Sequence, residues 1–140
     1  MNALLVLSVV LGANTASPAA AKPAKVTVVG EVVDAACYMI HPQSAVGPGH
    51  RQCTIDCAKR GVPLAIVNDA DKKLYFAADG NASLTAHIGE RVRATGTAEE
   101  KTDPMELSMP VGEKNKLSVR VDGGYEVLTI ATLEKDAGAK

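Results

Sequence analysis

Arg91-Val92-Arg93-Ala94-Thr95-Gly96-Thr97-Ala98 is the stretch that decides the fold. Its alternation of polar and apolar side chains is that of a strand with one face in a core and one polar face. Upstream, Val26 to Asp34 alternates β-branched and polar residues around Gly30. A glycine inside a strand marks a bulge or a sharp bend. Pro63-Leu64-Ala65-Ile66-Val67 reads as a further strand, Asn68 to Lys72 as a turn, and Lys73-Leu74-Tyr75-Phe76-Ala77 as its hairpin partner. Downstream, Lys116 to Val121, Asp122-Gly123-Gly124 and Tyr125 to Leu133 form a hairpin signal. Glu99 to Asn115 reads as a polar loop, and Asn81 to Gly89 has room for one helical turn.

Five or so short strands with little helix predict a mainly β protein. The expected architecture is a small OB-like, Greek-key, five-stranded barrel whose strands coil tightly at Gly30 and Gly96. A β-sandwich is the alternative. The length of 140 residues suits one domain.

The start of the chain predicts export. Ala3 to Leu11 is apolar but too short to span a bilayer, and Ala19-Ala20-Ala21 supplies an A-x-A-like cleavage site. The reading departs from the usual signal in one respect, since Met1-Asn2 carries no basic residue. Residues 1–21 are therefore expected to be a signal peptide, 22–25 a linker, 26–135 the barrel and 136–140 a disordered tail. The mature protein would be periplasmic or secreted, with no membrane association after cleavage.

The chemistry sits in the segment before Pro63. His50-x2-Cys53-x3-Cys57 places three donors at offsets of 0, 3 and 7 in a helix expected from about His50 to Arg60. At about 100° per residue these lie within roughly 60° of one another. Lys59 and Arg60 suit the C-terminal end of that helix, and Gly61 its left-handed exit. Cys37 lies nearby in Ala36-Cys37-Tyr38-Met39-Ile40-His41. Cys37, His50, Cys53 and Cys57 make a Cys3His set, and thiolates with an imidazole suit zinc or copper. Met39, His41, Met105 and Met109 are further candidate ligands, with Tyr38 packed behind the site. The flexible Gly47-Pro48-Gly49 would let the loop fold over a metal.

Gly30-Glu31-Val32-Val33-Asp34, Cys37-Tyr38, Gly49-His50, Cys53, Cys57 and Gly61-Val62-Pro63 together resemble a recurring pattern in small, poorly characterised exported bacterial proteins. The resemblance covers most of the mature chain and is specific in the cysteine segment. It implies a secreted barrel with a Cys/His site. Separately, Met105-x3-Met109 resembles the methionine spacing of periplasmic copper-handling proteins, although Pro104 and Pro110 flank it in a polar stretch.

Two other functions compete on the same residues. The three cysteines could staple a protein-binding module through one disulfide, leaving one thiol over. A thiol-redox protein would use Cys53 as nucleophile at the helix start, with Cys57 resolving, yet the chain has no Cys-x-x-Cys. An enzyme is not expected, because no open ligand position is flanked by a general base. A net charge of -1 and 3% aromatic residues argue against a nucleic-acid groove. The expected partners are a metal ion and a periplasmic metalloprotein or other protein.

Overall fold

The structure is a computed structural model that describes residues 21–138. Apart from Ala21, the expected signal peptide lies outside the described residues, as do positions 139–140 of the expected tail. Seven strands form in chain order: β1 (Ala24–Asp34), β2 (Leu64–Asn68), β3 (Leu74–Ala77), β4 (Arg91–Lys101), β5 (Met105–Val111), β6 (Asn115–Val121) and β7 (Tyr125–Lys135). Two helices, α1 (Ala35–Ile40) and α2 (Arg51–Lys59), fall between β1 and β2.

Five of the strands close into a barrel in the order β1-β2-β3-β7-β4, with β4 returning to β1. All neighbours are antiparallel except β3 and β7. This is the OB-like barrel expected from the sequence, and ring closure excludes the sandwich. The two glycines mark its tightest approaches. A Cβ on Gly30 would stand 1.8 Å from the Val67 carbonyl oxygen, and one on Gly96 would stand 2.1 Å from that of Thr129. The β4–β7 register also shifts between Thr95 and Gly96.

The alternation of each strand sorts its side chains between two apolar clusters. Val28, Val32, Leu64, Ile66, Val92, Ala94 and Leu128 fill the barrel interior. Leu84 and Ile88, flanking a 3-10 turn at Thr85–His87, join them. Ala65 and Phe76 belong instead to a second cluster with Ala35, Ala36, Cys37, Cys57, Val62 and Leu107. Leu64-Ala65-Ile66-Val67 is apolar throughout because β2 is buried on both faces.

Several boundaries differ from the sequence reading. β1 starts at Ala24, inside the segment expected as a linker. Asp136, first residue of the expected tail, donates its N–H to the Arg91 carbonyl at 2.9 Å, and its carboxylate accepts from Arg91 and Arg93. Met105–Val111, expected as loop, is a strand that pairs with β6. The hairpin expected between β6 and β7 therefore does not form. At Asp122-Gly123-Gly124 the chain instead leaves the β5–β6 ribbon and re-enters the barrel, with Tyr125 beside Lys101 of β4. Gly123, at φ 114°, is needed there: a Cβ would meet the Thr102 carbonyl oxygen at 2.5 Å.

In an OB-type barrel the connections after the first and fourth strands flank one face. Here the first connection carries α1 and α2, and the second carries the β5–β6 hairpin. The two meet over the outer faces of β2 and β3 through the second cluster.

Candidate metal centre

Asp34 builds the site. It is fully buried at the end of β1, where an uncompensated carboxylate would be costly. One oxygen, Oδ1, accepts the Cys37 N–H at 2.7 Å and so caps α1. The other, Oδ2, lies 3.4 Å from both His50 Nε2 and Thr54 Oγ1. One carboxylate thus ties the helix bearing Cys37 to the helix bearing Cys53 and Cys57. From sequence alone, a strand ends at Asp34 and no element is assigned to Ala35 to Ile40. An Asp directly before Ala35-Ala36 is the N-cap signal that reveals the extra helix.

α2 matches the expected helix within one residue at each end. His50 stands at its N-cap position, but its side chain makes no capping bond. The ring turns instead toward Asp34. The loop before it is fixed by Gly47, whose N–H donates to Glu31 Oε1 at 2.6 Å and whose carbonyl accepts from the His50 N–H at 3.1 Å. Gly47 has φ 81°, a conformation open to glycine at little cost.

The four expected donors come together, with Cys37 at the centre. Ligand atoms of Cys37, His50 and Cys53 all lie within 4.8 Å of one another, as do those of Asp34, Cys37 and Cys57. The residues therefore form two overlapping trios rather than one symmetrical quartet. Tetrahedral thiolate bonds of about 2.3 Å place sulfurs about 3.8 Å apart, so closing each trio on an ion needs a contraction of at most about 1 Å. Cys37 and Cys57 are buried, Cys53 is exposed, and all three thiols are free.

The surroundings favour protonated thiols while no cation is bound. Burial, followed by a hydrogen bond with Asp34 and its charge, pushes the Cys37 thiol far above its ordinary value. Burial and then the Asp34 charge push Cys57 up to about 11. Cys57, the resolving thiol of the redox alternative, is therefore held mostly as a thiol rather than the thiolate that resolution needs. A cation would reverse this balance by supplying the charge that a thiolate needs.

The additional candidates divide. Met109 reaches the cluster: the Cys37 thiol lies 3.3 Å from its Sδ. Met105 shares β5 but lies four residues away, roughly 13 Å along a strand, so the two thioethers cannot serve one ion. Its side chain packs on the apolar cluster near Val121, its partner across the hairpin. His41 is the C-cap of α1, with its N–H on the Cys37 carbonyl at 2.8 Å, and belongs to neither trio. Met39 is exposed at the end of α1. Tyr38 packs against the second cluster and lines a neighbouring cavity with Phe76 and Tyr125.

Comparison with protein-family models, curated proteins and solved structures finds no match for the chain. Among the described residues, no helix is long and apolar enough to cross a membrane.

Proposed function

We propose that this is an exported metal-binding protein that holds zinc or copper through Cys37, His50, Cys53 and Cys57. The observation that carries the reading is the convergence of two ligand trios on Cys37, from separate helices that a single buried carboxylate joins. Sulfur and imidazole donors favour these ions over magnesium or calcium. Asp34 beside His50 would orient the imidazole, as carboxylates commonly do at metal-bound histidines. Export rests on the apolar Ala3 to Leu11 segment with its Ala19-Ala20-Ala21 site, and the resemblance to small exported bacterial proteins agrees with it. The protein would work in the periplasm or outside the cell, passing its ion to, or taking it from, a metalloprotein partner.

The test is purification of the mature protein without chelator, followed by elemental analysis and thiol titration. Near-stoichiometric metal, with thiols that react only after chelation, is the expected result. Absence of metal together with a disulfide and one free thiol would replace this reading with the stapled binding module.

A further inference from the structure

The hairpin places a third kind of donor at the centre. β5 presents Met105, Leu107 and Met109 on one face, opposite Val121, Val119 and Leu117 of β6. Leu107 is fully buried in the second cluster and fixes the ribbon's height above β2 and β3. Arg60, at the end of α2, donates from Nη2 to the Gly112 carbonyl at the hairpin turn at 2.6 Å. These anchors leave Met109 over Cys37, with the thiol directed at its thioether across 3.3 Å.

We propose that Met109 is a ligand, that the centre is built for the cuprous ion, and that the β5–β6 hairpin sets its preference over zinc. This rests on the metal-binding reading above and makes it more specific. Zinc sites draw on thiolate, imidazole and carboxylate, whereas thioether sulfur selects Cu(I). In the structure the Cys37 sulfur stands at hydrogen-bond distance from the Met109 sulfur, so the thiol proton can lie between them. Replacing that proton with an ion bound to the Cys37 thiolate puts the ion between the two sulfurs. Taking metal–sulfur bonds of roughly 2.3 Å, a trigonal sulfur site needs sulfurs roughly 4 Å apart, slightly more than the present contact. Cys53 or Cys57 supplies the third sulfur from α2. The ion enters as Cu(I), so no electron is transferred, and each thiol that becomes a thiolate releases one proton to solvent.

The experiment compares the full mature protein with Met109→Leu, a swap of similar volume that cores tolerate well. Cu(I) affinity is measured by competition with a chromophoric cuprous chelator under anaerobic reduction, and zinc affinity by competition with a chromophoric zinc chelator. The expected result is a Cu(I) affinity lowered at least tenfold, about the least that loss of a metal-supporting contact produces, with zinc affinity nearly unchanged. X-ray absorption of selenomethionine-substituted protein loaded with Cu(I) should show a copper–selenium distance that Met109→Leu removes. Equal losses for both metals, no loss for either, a wild-type protein that takes zinc alone, or no copper–selenium contact would each overturn the proposal and leave a metal centre without Met109. Failure of the wild-type protein to bind either metal would overturn the metal-binding reading itself.

Discussion

The sulfur of Met109 lies 3.3 Å from that of Cys37, across 72 residues of sequence. The contact joins the two long connections of the barrel and fixes which cysteine stands at the middle of the site. Cys37 belongs to both donor trios, whereas His50 and Cys53 belong to one and Cys57 to the other. Cys37→Ser is therefore expected to abolish stoichiometric metal binding. Cys57→Ser should leave a weaker site on Cys37, His50 and Cys53. Elemental analysis of variants dialysed against a weak chelator checks the order, and equal retention of metal by all variants would contradict it.

Cys53 separates the ion's contribution to stability from the protein's own. Its side chain is exposed, so Cys53→Ser should change the melting of chelator-treated protein by no more than about 0.5 kcal/mol. The metal-loaded wild type should melt well above the metal-loaded variant, because an ion bound only to the native state stabilises it. Thermal melts with and without metal decide this. A variant as stable as wild type in both states would remove Cys53 from the ligand set.

Metal uptake should depend on pH in one direction. Cys37 and Cys57 are both raised, Cys57 to about 11, so both carry protons at neutral pH. Each must lose its proton to bind a metal. Apparent affinity should therefore rise with pH through the neutral range, by about tenfold per pH unit for each proton displaced. Competition titrations at several pH values, with proton release read by calorimetry in two buffers, provide the check. A pH-independent affinity would show that buried thiols are not the ligands.

Asp34 caps α1 and stands beside His50 of the candidate centre. Asp34→Ala removes the α1 cap and leaves the Cys37 N–H without its acceptor, at an expected cost of about 2–4 kcal/mol. Asp34→Asn keeps an oxygen for the cap but loses the charge beside His50, so it should cost less stability. It should still lower metal affinity by about 10–100-fold. Denaturant unfolding alongside metal competition distinguishes the two effects. Wild-type affinity in a folded Asp34→Asn protein would show that the carboxylate acts on the fold alone.

Gly30→Ala tests barrel closure. Its Cβ would overlap the Val67 carbonyl, and backbone on both sides must shift to admit it. The expected loss exceeds about 3 kcal/mol, enough to lower the melting temperature by roughly 10 °C. A melt within a few degrees of wild type would mean that β1 can uncoil from β2 at little cost.

The barrel was legible because its strands alternate cleanly and because Gly30 and Gly96 sit where two backbones meet. The segment bearing Cys53 and Cys57 was legible from donor spacing and from the Lys59-Arg60-Gly61 ending. The hairpin was not. Met105 to Val111 is short, contains Pro110 and has Val111 exposed, so its pattern resembles a loop. The Asp122-Gly123-Gly124 signal was real as a sharp turn but says nothing about which strands pair across it. That outcome is set by the longer ladder between β4 and β7, which runs from Val92 to Lys101. The contact between Cys37 and Met109 follows from that pairing, and no local pattern contains it.

The barrel closes on hydrogen bonds and aliphatic packing of its own, with the donor residues outside the ring. A zinc finger collapses when stripped because its ion stands in for a core. Loss of an ion from the proposed centre would leave those barrel contacts in place, so the frame is expected to stay folded without it. Such a frame would suit the proposed role, in which the ion must come and go.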